Sequence, residues 1–225
     1  MIKSLHLKVF LTVVLCLFLI TAAAFQLHTN KVYAPKIMGV TLVNAEPLGN
    51  FTLNDHNNTP FTASSLRGKW HVISYGYTHC PDICPLTLVT MTQFSNLLNE
   101  NNINNVQFAF YTVDPYRDTA SHIKEYLAYF NPDFLGLRNE EKQETSTFEN
   151  KLGMKIHIEE KEKETNPNYS VSHGLEIFLI NPDAKLQAVL QPNRHPSGFV
   201  GYSAQHAYND FLHVKRFYEQ QSIFR

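Results

Sequence analysis

A chain of 225 residues with 44% hydrophobic side chains suits one core-bearing domain plus an accessory segment. Its formal net charge of -1, with Lys and Arg scattered along the chain, gives no footing to a basic nucleic-acid surface. Nothing in it resembles a nucleotide loop, a serine nucleophile or paired catalytic carboxylates.

The first feature in chain order is Val9 to Phe25, an uncharged stretch preceded by Lys3 and Lys8. Its length sits near the lower limit for a bilayer-spanning helix, roughly 17–25 residues. "TAAAF" also offers an A-x-A-like cleavage site ending at Ala24, so a cleaved signal segment is the alternative. Residues 1–27 are therefore expected to be an N-terminal membrane anchor or signal segment. A retained anchor gives a single-pass protein of the inner (cytoplasmic) membrane whose soluble domain faces the periplasm or an equivalent exported compartment. Lys31 and Lys36 beyond the stretch match the two lysines before it, so charge alone does not set its orientation. Cys16 falls inside the segment, with Leu15 where a lipid-attachment signal wants a small residue. In an oxidising compartment Cys80 and Cys84 then form the one cysteine pair of the exported part.

Residues 28–48 show no periodicity and read as a linker. "FTLNDHNNTPFT" (51–62) predicts two short strands around an Asn/Asp/Pro turn. "HVISYGY" (71–77), rich in β-branched and aromatic residues, reads as a buried strand. Leu88, Met91, Phe94 and Leu98 recur at helical spacing, so a helix covers 86–100, followed by a strand at 106–113. Asp118 or Thr119 caps a further helix reaching Phe130. Residues 141–153 predict another helix with Gly153 as its stop. Strands at 154–158 and 173–180 follow; the second continues through "NPDA" into a hairpin with "KLQAVL". A C-terminal helix carries Phe211, Val214 and Phe217 on one face. The charge run 159–165 reads as a solvated loop. Strands alternating with helices and a late hairpin imply an α/β sandwich around a central mixed β-sheet.

The chemistry concentrates in "YTHCPDICPLT" (77–87). Pro85 fits the opening of a helix, which puts Cys84 at the N-cap and Cys80 in the loop before it. Both sulfurs then lie by the positive end of a helix, where thiol pKa values fall. A disulfide closing so small a loop constrains the unfolded chain little, which makes a purely structural staple a weak reason for the pair. Spacing alone leaves a redox couple and a metal site both open.

"YGYTHCPDICPLTL" (75–88), "VDPYRDT" (113–119) and "YSVSHGLEIFLINPDAKL" (169–186) together resemble the core motifs of the SCO/SenC family. Its members are thioredoxin-like, copper-handling assembly factors of cytochrome c oxidase. The likeness runs from about residue 49 to 221 and implies a thioredoxin-like SCO domain over 49–225. It further implies that Cys80, Cys84 and His173 hold one copper ion, Cu(I) and/or Cu(II). Two soft thiolates and one imidazole suit both states. The implied partner is the copper-centre subunit of cytochrome c oxidase, with another copper carrier or a thiol reductant as a second contact. The alternative function is a thiol-disulfide oxidoreductase cycling a Cys80–Cys84 disulfide on the apo-oxidase subunit or in redox signalling; a conventional enzyme is not implied. One departure is Ser172, where the family usually carries Asp before the metal-binding His. Among the remaining polar residues, His79 reads as strand-end packing, and His122, His195, His206 and His213 as structural. Asp82 reads as a loop carboxylate, Asp114 and Asp118 as a strand end and a helix cap, and Tyr75 and Tyr77 as sheet packing.

Overall fold

The computed structural model describes residues 2–29, 33–139, 147–158, 169, 171–194, 198 and 200–223. The chain divides into two units, residues 1–33 and 34–225. Lys31, residues 141–146 of the expected helix, the charge run 159–165 and His195 lie outside the described residues.

The first unit holds helix α1 (Ile2–Thr29), on which Phe10, Leu11, Phe18 and Ile20 are exposed. Thr12 and Thr21 return their hydroxyls to the carbonyls of Lys8 and Leu17, so both polar side chains are satisfied within the helix. Among the described residues no helix is long and apolar enough to cross a membrane. The helical expectation for this segment holds; the spanning expectation gains nothing from the fold.

In the second unit the elements run, in order, β1 (Gly39–Pro47), β2 (Thr52–Asp55), β3 (Pro60–Thr62), β4 (Trp70–Gly76), α2 (Ile83–Glu100), β5 (Val106–Thr112), α3 (Ala120–Ala128) and β6 (Leu135–Arg138). They continue with α4 (Thr147–Leu152), β7 (Ile156–Ile158), β8 (Val171–His173), β9 (Ile177–Ile180), β10 (Lys185–Leu190), β11 (Asn193–Arg194), β12 (Val200–Gly201) and α5 (Ala204–Ile223). Eight strands form one sheet in the order β1-β10-β9-β4-β5-β6-β2-β3. Its β4–β5 and β5–β6 ladders are parallel and the rest antiparallel, which makes the expected mixed sheet.

Every residue of β4 is buried, as a central strand covered on both faces requires. Alternation sends Trp70 and Val72 to one face, against Leu88, Met91 and Phe94 of α2 and Phe211 and Val214 of α5. Ile73 and Tyr75 point to the other face, among Tyr111, Phe148, Tyr169 and Phe178. The Trp70 and Phe211 rings meet edge to face at 5.4 Å. Truncating a fully enclosed ring such as Phe94 in this layer would cost about 3–5 kcal/mol.

Several elements differ from the sequence reading, among them β11 and β12, which it does not anticipate. Residues 39–47, read as linker, form β1 on the sheet edge, because its register with β10 comes from backbone pairing and its burial pattern is irregular. The four residues of β6 offer no pattern long enough to read. The single strand expected at 173–180 is two strands, β8 and β9, in different sheets.

Candidate functional site

Beyond β4, a turn carries the chain to α2, with the Cys80 amide donating to the Tyr77 carbonyl at 3.2 Å. Helix α2 starts at Ile83, so Cys84 is its second residue; Asp82 holds the N-cap position without a side-chain cap bond. This corrects the expectation that Cys84 caps the helix. Proline biases the residue before it away from helix, but the first helical amides have no intrahelical acceptor, so Pro85 loses nothing as the third residue. The Leu86 amide already reaches the Asp82 carbonyl at 3.4 Å. Placing Cys84 inside the first turn aims its sulfur into the core: Cys84 is 3% exposed and Cys80 8%.

His173 arrives from a remote part of the chain. It closes β8, which pairs with β7 so that Ile156 faces His173. The chain then turns through Gly174–Leu175–Glu176 to enter the main sheet at β9. That corner is strapped down. The Gly174 amide donates to the Lys155 carbonyl at 2.9 Å, and the Tyr75 hydroxyl donates to Glu176 Oε2 at 2.6 Å. Lys155 Nζ lies 3.8 Å from Glu176 Oε1. A side chain at position 174 would collide with the Tyr75 hydroxyl and the Glu176 carboxylate, so any residue but glycine would have to push that hydrogen-bonded pair aside.

The corner also sets the imidazole. His173 Nδ1 lies 2.6 Å from the Gly174 carbonyl oxygen, which can only accept, so Nδ1 donates and Nε2 is left to face Cys84 Sγ at 3.3 Å. Tyr75 and Tyr77 each present an edge to the ring at 5.8 Å, so these two tyrosines wall the site as well as packing the sheet. The donor atoms of Cys80, Cys84 and His173 all lie within 4.8 Å of one another. Ser172 is exposed while Val171 is buried, as strand alternation demands, so the position usually held by Asp faces away from its neighbour His173.

Both motif cysteines are free thiols. A hydrogen bond from Cys84 holds the Cys80 thiol well below the ordinary thiol range. Burial opposes this, and His173 with the amides of Cys84 and Asp82 assists it. Cys84 moves the other way, upward, because it gives that bond and because it is buried. The two thiols are thus shifted in opposite directions, Cys80 downward and Cys84 upward, instead of being equally acidified by the helix end.

A second layer ties the cysteine turn to the β5–α3 loop. Asp118, fully buried, accepts from the Thr78 amide at 3.0 Å and from the hydroxyls of Thr78 and Thr112 at 2.5 Å each. Thr119 is the residue that caps α3, accepting from the His122 amide. Asp114, also fully buried, accepts from Arg117 and from the Tyr169 hydroxyl. The Arg117 guanidinium lies 3.8 Å from the Tyr169 ring centroid and 5.4 Å from that of Tyr77. Asp114 and Asp118 thus brace the site, a role that strand-end and cap readings miss; "VDPYRDT" was their signal. Asp82 is exposed as expected, and its backbone amide serves Cys80. His79 is turned outward toward Asp118 and His122, and His206 and His213 are exposed on α5.

A mixed sheet bearing a dithiol on the turn from its central strand into a helix is a thioredoxin-like arrangement, here with an imidazole set against the sulfurs. The SCO1/SenC family model matches residues 41–205, and the chain belongs to that family. It is 34% identical to the mitochondrial protein SCO2 of Saccharomyces cerevisiae over 169 residues, which cover 75% of this chain and 52% of that one. To an SCO2-like protein of Rickettsia felis it is 36% identical over 137 residues, covering 61% of this chain and 65% of the other. The chain thus spans about half to two-thirds of the length of these relatives. The crystal structure of yeast Sco1 with copper bound superposes with a TM-score of 0.60 at 26% identity, over 76% of this chain and 89% of that one.

Proposed function

We propose that this protein is a copper metallochaperone: Cys80 Sγ, Cys84 Sγ and His173 Nε2 hold one copper ion, and the protein delivers it to the copper-centre subunit of cytochrome c oxidase. The observation that carries the reading is the gathering of those three donors within 4.8 Å, with the imidazole turned so that Nε2 faces the sulfurs. Two sulfurs and one nitrogen suit copper in either working state and fall short of the four ligands of structural zinc. A three-donor site at the end of a strand and the start of a helix also leaves room for an incoming acceptor thiolate. The copper-bound yeast relative supports the cargo, and family membership supports the oxidase partner. In this reading residues 1–27 anchor the chain in the inner membrane with the domain exported. The connecting segment is then shorter than 28–48, because β1 belongs to the sheet.

The test is copper content per purified chain. One ion is expected in the wild type, with loss in Cys80→Ala, Cys84→Ala and His173→Ala. Full copper in His173→Ala removes the imidazole from the site.

A second reading, thiol-disulfide exchange with the apo-oxidase subunit, is favoured by the opposite shifts of the two thiols, under which Cys80, the more acidic, attacks and Cys84 resolves. It needs both sulfurs and not His173. A His173→Ala protein that still supports oxidase assembly decides for exchange; one that fails decides for copper delivery.

A further inference from the structure

Outside this site, one other group of metal-ligating side chains draws together among the described residues: His79, Asp118 and His122, whose donor atoms lie within 4.8 Å of one another. We propose that these three residues form a second metal site, on the surface beside the cysteine turn, for a borderline divalent transition ion such as Zn(II) or Cu(II). The inference is independent of the copper-delivery reading, because it uses none of that site's donors.

The argument begins with the carboxylate. Asp118 is fully buried and fixed by three neutral donors, one on Oδ1 and two on Oδ2. A carboxylate has about four lone-pair sites, so one remains, and it lies on Oδ1. Oδ1 is also the carboxylate oxygen nearer His79 Nδ1, at 3.7 Å, and the Thr78 hydroxyl that donates to Oδ1 lies in hydrogen-bond contact with that nitrogen at 3.1 Å. A metal bound at Nδ1 would displace this contact, and Nε2 has no such partner among the described residues. One acceptor position is thus left on the carboxylate oxygen that lies within 4.8 Å of the two imidazoles' ligand atoms.

The two rings are held by rigid backbone. His79 sits on the turn that Asp118 ties down through Thr78, and His122 stands in the first turn of α3, its amide capped by Thr119. They face each other at 5.5 Å between centroids and 23° between planes. Both side chains are exposed, so neither is committed to core packing. Imidazole nitrogens and a carboxylate oxygen bind Zn(II) at about 2.0–2.2 Å, which in a tetrahedral arrangement separates the donors by about 3.3–3.6 Å. The present spread needs to close by about 1 Å, within reach of rotations of two exposed histidines. Two nitrogens and one oxygen select a borderline ion over a soft one, with water as the fourth ligand of an open site instead of a structural zinc, so this site differs in kind from the dithiol and is indifferent to thiol oxidation.

The experiment uses the full chain carrying Cys80→Ser and Cys84→Ser, which removes the sulfur donors, titrated with Zn(II) alone and with Cu(II) alone. His79→Ala and His122→Ala are added singly; both positions are exposed, so the fold is kept. The expected result is that either histidine substitution weakens Zn(II) binding by at least about tenfold. Each should also remove one nitrogen from the hyperfine pattern of the tightest bound Cu(II). Unchanged isotherms in both variants overturn the proposal, and so does a loss confined to one of them, since a single imidazole is not this site.

Discussion

Gly76 ends β4 with no side chain, and the space it leaves is occupied by the site. A Cβ placed there would stand 2.5 Å from Cys84 Sγ, 3.3 Å from Phe110 Cε2 and 3.4 Å from His173 Cε1. Non-bonded heavy atoms settle at about 3.5–4.0 Å, so in Gly76→Ala the sulfur must retreat by about 1 Å or more, and the ring atoms nearby leave little slack. Overpacking of this kind costs about 1–3 kcal/mol, partly offset by about 0.5–1 kcal/mol from the lower chain entropy of alanine in the unfolded state. The domain should therefore remain folded, with a Tm a few degrees lower. Copper affinity should fall much further, by about tenfold to a hundredfold, the range seen when the surroundings of metal ligands are disturbed. Competition against a chromophoric copper chelator, beside a thermal melt, separates the two effects. Wild-type affinity in a folded Gly76→Ala protein would refute the claim that the metal donors sit where the methyl would go.

The remaining predictions test the proton, the corner and the core. Because Cys80 lies below and Cys84 above the ordinary thiol range, the two sulfurs should release close to one proton per copper bound near neutral pH. Calorimetry in two buffers of different ionisation enthalpy counts it, and two protons would show that the thiols titrate alike. Tyr75→Phe removes the hydroxyl that straps Glu176, so copper affinity should drop several-fold while the alkylation rate of Cys80 stays put; a matched fall in both would assign Tyr75 to the dithiol instead. His71 is fully buried, and burial first, then the charge of Lys69, lowers its pKa from 6.5 to about 4. Between those values the unfolded chain binds the extra proton, so stability is intact above pH 6.5 and is lost as pH falls. The loss attributable to His71 is about 2 kcal/mol by pH 5. Urea unfolding at pH 7.5 and 5 should show this loss in the wild type and its absence in His71→Leu; equal losses would move the acid sensitivity elsewhere.

The parts of the fold that could be read from sequence are those whose burial is periodic. In α2, Leu88, Met91, Phe94 and Leu98 repeat every three or four residues because one helix face meets the sheet. In β4 the unbroken apolar run reports a strand covered on both sides. β1 failed that test because an edge strand's place is set by backbone pairing with β10, and pairing leaves no mark on side-chain pattern. The run 173–180 misled for the opposite reason: its apolar residues continue, but Gly174 and the Tyr75–Glu176 strap turn the chain from one sheet into another.

The site divides along the same line. Cys80 and Cys84 are local: a strand, a turn and a helix start bring them together whatever the rest of the chain does. His173 is not local, since 89 residues separate it from Cys84. Only the pairing of β8 with β7 and the strapped corner deliver its ring, so no spacing rule finds it and motif resemblance alone had pointed there. The proton bookkeeping was also illegible. A helix terminus would lower both thiols alike, but the hydrogen bond from Cys84 to Cys80, and then burial, push Cys84 up while Cys80 goes down. That inequality links geometry to chemistry. Both sulfurs are buried, one held below and the other above the ordinary thiol range, and an imidazole nitrogen stands beside the second. If copper is the cargo, as proposed, Cys80 is the donor ready for it, and Cys84 would have to give up its proton on binding.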